Sequence, residues 1–348
     1  MVAKILERGF TFDDVLIVPN ESRMEPAEAS LQTTLCGIDL KVPFLSAAMD
    51  RVTEVEMAIA LGKLGGLGVL HRNLSIEEQV KMVKEVKKTG VRIAAACGPF
   101  AADRAKALDE AGVDVIVIDC AHGHNLNVVE SAKKIKQGLK YAKMIFGNIA
   151  TKEAAKAACA FVDAVKVGVG PGSICTTRII SGVGVPQLSA VLDVVSVAHK
   201  KKVPVIADGG IRTSGDIAKA LAAGASAVML GNIFAGTDET PGKIVEKDGK
   251  KFKEYRGMGS KSVIESAAGK ERYFTHGRKA VPEGVEALVL HKGPVAEVVA
   301  DLVSGVQVGM GYVGARTLER FHARAKFIRI TNASIMEGKP HSLSGITE

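Results

Sequence analysis

The stretch from Lys166 to Gln187, KVGVGPGSICTTRIISGVGVPQ, concentrates residue types suited to covalent chemistry. Gly168, Gly170 and Gly172 make a loop whose backbone can adopt restricted conformations and approach a ligand closely. Ser173 offers a hydroxyl, and Cys175 is followed at once by Thr176, Thr177 and Arg178. A thiol among donors and beside a cation is placed for a lowered pKa and nucleophilic attack. An isolated cysteine is more often a small buried residue. The glycines, hydroxyls and arginine around this one favour the nucleophile.

Elements able to position such a loop can be read from the aliphatic segments. Eight short runs, 42–47, 66–70, 92–97, 114–119, 143–147, 164–168, 203–208 and 225–230, suit strands, with helical patterns between most of them, as at 75–88, 101–111 and 214–223. Ser75 followed by Glu78 is a capping box, and Ser214 before Asp216 also suits a helix start. The segments LDEAGVDVIVID, AKAACAFVDAVKVG and LAAGASAVMLG each run from a helix end through a turn into an aliphatic strand. Alternating strands and helices with short turns imply a parallel sheet, and eight units favour a closed (β/α)8 barrel over an open doubly wound sheet.

Ser46, His71, Asp119, Asn148, the Cys175 loop, Asp208 and Gly231 fall at or just after strand C-termini, the rim where barrels place their chemistry. Two long excursions interrupt the pattern: 168–187 after the sixth strand and 236–292 after the eighth. At a barrel mouth such segments are usually binding loops or lids.

Composition agrees. The 348 residues are 47% hydrophobic with no Trp, so the core is built from small aliphatic side chains, as parallel strands buried on both faces require. Five cysteines, an odd number without CxxC spacing, exclude a disulfide framework and point to a reducing cytoplasm. No apolar run is long enough for a membrane span. The net charge of +8 suits an anionic ligand. The basic residues are dispersed, as at Lys81, Lys84, Lys87 and Lys88, which reads as a solvated helix face rather than a nucleic-acid surface.

GVGPGSICTTR, together with SAAMDRVTE at 46–54, DCAHGH at 119–124, IADGGIRTSGDIAKALAAGA at 206–225, YRGMGS at 255–260 and ERYF at 271–274, resembles the inosine-5′-monophosphate (IMP) dehydrogenase and GMP reductase family. The resemblance runs from about Phe10 to about His341 with its motifs in family order. It implies a single barrel domain over 1–348 and a flap over about 236–292; the sequence departs from the family in passing directly from 78–91 into the third strand, without the paired CBS regulatory module usually inserted near 88–91.

It further implies oxidation of IMP to XMP with NAD+ as hydride acceptor, Cys175 attacking C2 of the purine. Ser173, Gly210, Gly231 and Tyr255 would hold the phosphate and Asp208 the ribose hydroxyls. Asn148, Met258, Gly259 and Glu283 would line the base, with Ser46, Met49, Asn232 and Gly257 completing the substrate site. Asp119, Cys120, Ala121, Gly168 and Gly170 are the expected NAD contacts. Potassium would be held by carbonyls of Gly170, Gly172 and Cys175, completed by Glu337, Gly338 and Lys339 from a neighbouring subunit of a homotetramer. A zinc reading of His122 and His124 is weaker, because a third ligand is not nearby in sequence.

Arg272 and Tyr273 match a dehydrogenase flap pair that activates water, with Thr177 assisting. The alternative is a GMP reductase using NADPH and the same Cys175, in which Thr177 and Glu265 or Glu271 would matter; the short chain length favours it. A purine-nucleotide or nucleic-acid binding regulator without turnover would have no use for the nucleophile.

Overall fold

The structure is a computed structural model and describes residues 8–265 and 281–340. Eight parallel strands close into a barrel. In chain order they are β1 (Phe44–Ser46), β2 (Leu67–Leu70), β3 (Ile93–Cys97), β4 (Val115–Asp119), β5 (Lys143–Ile149), β6 (Ala164–Val167), β7 (Val205–Asp208) and β8 (Ala227–Leu230). Each pairs with its sequence neighbours, and β8 returns to β1 through Leu230↔Ser46. All eight expected segments are therefore strands of one closed sheet. The open-sheet alternative is excluded.

Alternation along the strands builds two cores. Outward residues such as Val165, Val167 and Val205 pack under the helices. Inward residues, including Leu45, Leu67, Val69, Val117, Ile145, Ala164, Ile206 and Met229, fill the barrel and meet Leu35, Ile38 and Leu40. Those last three come from a hairpin, Thr33–Leu35 and Ile38–Leu40, that plugs the floor. One step above this interior layer, the two-residue period brings Asp119, Lys166 and Asp208 inward.

Helix Ile76–Lys87 has the expected capping box, the Ser75 hydroxyl accepting from the Glu78 amide. Only the turn 88–92 then separates it from β3. The helix Ser214–Ala222 is capped one residue earlier than expected: the Thr213 hydroxyl accepts from the Asp216 amide. Strand β5 runs past its expected end through an irregularity between Phe146 and Ile149. Such bulges re-aim side chains beside active sites, and here the strand carries Asn148 to the mouth.

The excursion after β8 is not merely a polar loop. It contains a three-stranded antiparallel sheet of Ile244–Lys247, Lys250–Arg256 and Glu286–Leu290. Asp248 and Gly249, at φ 51° and 71°, form the tight connection of its hairpin, and Asp-Gly is a strong sequence signal for that turn. A strand at Val15–Ile17 pairs with Phe327–Arg329, joining the N-terminal segment to the C-terminal region. Among the described residues no helix is long and apolar enough to cross a membrane.

Candidate active site

A cavity of about 270 Å³ opens at the C-terminal end of the barrel, near the lower bound of about 300 Å³ usual for small-molecule pockets. Its wall gathers most of the residues expected from sequence: Met49, Asp119, Cys120, Ala121, Asn148, Ser173, Cys175, Thr177 and Asp208 among them. The glycines 168, 170, 172, 210, 231, 257 and 259 line it as well, with Asn232, Tyr255, Met258 and Glu283. Residues separated by more than two hundred positions thus share one mouth because every barrel strand delivers its C-terminus there.

The Cys175 thiol lies 3.1 Å from the Thr177 hydroxyl, which in turn donates to Glu283 Oε2 at 2.7 Å. The loop is clamped to the segment bearing that carboxylate. The Thr176 amide donates to the Glu283 carbonyl at 2.9 Å, and the Val285 amide to the Ile174 carbonyl at 3.1 Å. The expectation that Arg178 would sit beside the thiol is not met. Its guanidinium turns away and donates to the carbonyls of Val169 and Val185, bracing the loop. On the helix Thr177–Ser181 successive side chains point in different directions, so Thr177 lines the cavity and Arg178 does not.

A cluster on β4 to β7 forms the floor. Lys166, 3% exposed, donates to Asp208 Oδ2 at 2.6 Å, to the Asn148 side-chain oxygen, and to Asp119 Oδ1 at 3.4 Å. Asn148 Nδ2 also donates to Asp208 Oδ2 at 2.9 Å and to the Gly168 carbonyl at 2.7 Å. Asn148, expected to line the base, lines the cavity and also cross-braces Asp208. With Oδ2 engaged, Asp208 keeps Oδ1 to accept from a ligand. Lys166 was missed. Its signal was a lone lysine inside the aliphatic strand AVKV, where burial demands a counter-charge. Gln187 was also missed; its amide donates to the carbonyls of Val167 and Asp208 at 2.9 and 3.0 Å, joining β6 to β7.

The opposite wall is arranged for close approach. The Tyr255 hydroxyl donates to Met49 Sδ at 3.9 Å, and burial, with the Asp208 charge adding to it and Ser173 opposing it, pushes the phenol up to about 12. It stays a donor at neutral pH. A Cβ on Gly231 would lie 2.8 Å from the Tyr255 hydroxyl, so only glycine leaves that backbone open beneath it. Gly210, at φ 77°, supplies the left-handed turn after β7.

Several expectations fall elsewhere. Ser46 is fully buried, with no partner for its hydroxyl among the described residues, and is not part of the wall. His71 lies in a separate cleft, where Nε2 meets Glu54 at 3.2 Å and Nδ1 accepts from the Asn73 amide. Both residues point off the mouth because strand-end position does not specify direction. Glu337, Gly338 and Lys339, expected to act from a neighbouring subunit, lie at the end of helix Asn332–Glu337 and just past it and do not line this chain's own cavity; Lys339 helps lower the pKa of Asp13. Arg272 and Tyr273 lie outside the described residues.

The residues expected to hold potassium offer carbonyl oxygens, at Gly170, Gly172 and Cys175, of the hard type such cations take; the Gly172 carbonyl accepts from the Cys175 amide at 3.1 Å. His122 and His124 stack edge-on with ring centroids 6.5 Å apart. Among the described residues no group of three or more His, Cys, Asp or Glu is placed to hold a metal ion.

A closed barrel with a partly accessible thiol on a glycine loop, sharing one mouth with carboxylates and the Tyr255 hydroxyl, has the arrangement of a barrel enzyme. Comparison with known proteins narrows this. The family model described as IMP dehydrogenase / GMP reductase domain matches residues 9–341, and the chain belongs to that oxidoreductase family. Inosine-5′-monophosphate dehydrogenase of Methanocaldococcus jannaschii is 41% identical, with 98% of this chain and 97% of the relative covered. The enzymes of that name from Cryptosporidium parvum and Borreliella burgdorferi are 42% and 40% identical over all of this chain, covering 98% and 100% of theirs. The first alignment extends over 479 residues, well beyond 348, so that relative carries internal sequence that this chain lacks.

Proposed function

We infer that the protein is an IMP dehydrogenase, oxidising IMP to XMP with NAD+ through a covalent intermediate on Cys175. The observation that carries this is the Cys175–Thr177–Glu283 line facing the Asp208 and Tyr255 cradle. Covalent catalysis divides a difficult substitution into two easier steps.

Thr177, by donating to Glu283, presents its oxygen lone pair to the thiol. The thiol proton leaves along that line while sulfur bonds to C2 of the purine and the C2=N3 electron pair moves to N3, which takes up a proton. Asp208 accepts the ribose hydroxyls. Tyr255, Ser173 and the Gly210 and Gly231 backbones hold the phosphate, which fixes C2 over the sulfur. NAD+, when bound, supplies the hydride acceptor; Asp119, Cys120, Ala121, Gly168 and Gly170 are the residues that would hold it. Loss of hydride from C2, with release of the N3 proton, leaves a thioimidate; water attack at C2 then breaks the C–S bond, its two protons going to N3 and to the thiol as XMP is released.

Arg272 and Tyr273 are assigned to water activation on the family resemblance. An arginine, with a pKa above about 12, serves as a base only when closure desolvates it and aligns a proton acceptor. Potassium would steady the Cys loop through Gly170, Gly172 and Cys175, with 337–339 supplied by a neighbouring subunit of a homotetramer. No CBS module interrupts the barrel in this proposal, and the enzyme works in the cytoplasm.

The test is NADH formation from IMP and NAD+ with potassium present, run beside GMP with NADPH. IMP turnover that Cys175→Ala abolishes, with IMP still bound, supports the proposal. NADPH oxidation with GMP alone would assign the family's reductase activity instead.

A further inference from the structure

Behind the cavity wall stands a second buried ammonium. Lys253, on the strand Lys250–Arg256, is 3% exposed. It donates to three backbone carbonyls, of Thr237 at 3.0 Å, Asp238 at 3.0 Å and Thr240 at 2.6 Å. A lysine ammonium has three donors, and all are used on one turn of chain. Burying a charge is costly unless such bonds offset it.

The turn 237–240 is fixed to the barrel. The Thr237 hydroxyl donates to the Phe234 carbonyl at 2.9 Å, and the Thr240 hydroxyl to the Ala235 carbonyl at 3.2 Å. Both carbonyls belong to the helix Asn232–Ala235, which begins directly after Gly231. On the other side, Lys253 and Tyr255 share one face of their strand, Glu254 pointing out between them. The ammonium thus joins the backbone behind Gly231 to the strand that presents Tyr255.

The geometry points to Lys253 as a positioning residue for nucleotide binding: it seats Tyr255 over the Gly231 backbone and beside Ser173, where the substrate phosphate is held. This rests on the reading of Tyr255 and Ser173 as the phosphate cradle. The spacing leaves little latitude, since a Cβ at Gly231 would come within 2.8 Å of the phenol oxygen. A methionine at 253 keeps the stem and loses all three bonds; a glutamine keeps two donors. Desolvation holds the Lys253 pKa below its ordinary value, in keeping with a site built from neutral carbonyls.

A double-mutant cycle on the full-length protein tests it, with IMP and inosine dissociation constants measured by calorimetry for wild type, Lys253→Met, Tyr255→Phe and the double variant. Loss of a hydrogen bond to a charged group predicts IMP binding weaker by about 10- to 100-fold in each single variant. The double variant should bind IMP no worse than Tyr255→Phe, because Lys253 acts through that hydroxyl. Inosine, lacking the phosphate, should bind Lys253→Met as it binds wild type. Lys253→Gln should fall between the two, and it replaces Met in the cycle if Lys253→Met does not fold. Additive losses, or equal weakening for inosine and IMP, would overturn the proposal. Unchanged IMP affinity in Tyr255→Phe would instead remove the phosphate reading on which it rests.

Discussion

Replacing Lys166 with methionine probes the floor of the site most directly. The substitution keeps the stem and removes an ammonium that bonds Asp208, Asn148 and Asp119 inside the barrel. Breaking a buried ion pair from one side costs about 3–5 kcal/mol, because the remaining charge stays buried and uncompensated. The Asp119 and Asp208 side chains are only 8% and 21% exposed, so water repairs little of the loss. At about 2.1 cal/mol/K per residue, unfolding 348 residues changes entropy by about 0.7 kcal/mol/K. A loss of about 4 kcal/mol then lowers Tm by roughly 5 °C.

Because Asp208 is the proposed holder of the IMP ribose and Asp119 a proposed contact of NAD+, KM for both should rise in Lys166→Met, by at least about tenfold each, as expected for a disturbed charged hydrogen bond. Thermal melts and steady-state kinetics read these effects. In the Asp208→Asn background the further loss on removing Lys166 should shrink, since one of the charges it compensates is gone. An unchanged Tm, or a KM effect on only one substrate with full additivity in the double variant, would refute the reasoning.

Glu283→Gln keeps the contact with Thr177 but removes the proton acceptor, so kcat should fall by about 10²–10⁴, read by pre-steady-state hydride transfer. Gly168→Ala would place a Cβ 2.0 Å from the Asp208 carbonyl at a φ of 150°; weakened IMP binding with a Tm lower by several degrees is expected from calorimetry and melts. Asp50 is buried, which raises its pKa, but bonds from Arg256 and Asn73 prevail and hold it below the usual 3.8. Its contribution is therefore full above about pH 4 and lost as pH falls through the depressed folded value. Melting curves should be flat from pH 7 to about 5, drop below about 4, and lose part of that drop in Asp50→Asn.

Much of the architecture was legible because the physical signals were local. Each barrel strand is a short aliphatic run closed by a turn, and burial on both faces leaves few residue types to choose from. The Cys175 loop was legible for a different reason: glycines and hydroxyls crowded into one short run break the aliphatic pattern of the strands, so their concentration marks a site. The hairpin at Asp248 and Gly249 was equally local and was passed over because its charged strands resemble loop sequence. Lys253 and Tyr255, on alternate positions of that strand, were its inward face.

Other features depended on distance in the chain. That Asn148 braces Asp208, that Arg178 turns from the thiol, and that Ser46 and His71 face off the mouth follow from side-chain direction, which strand-end position does not specify. The sequence by itself determined the barrel, its rim and the loop that carries Cys175, because periodicity and glycine placement act within a few residues. Only the tertiary structure decided that Lys166 would stand between Asp119, Asn148 and Asp208 and that Glu283 would reach Thr177. Those contacts join strands and loops up to 106 positions apart, and their geometry is set by barrel closure, which no local pattern encodes.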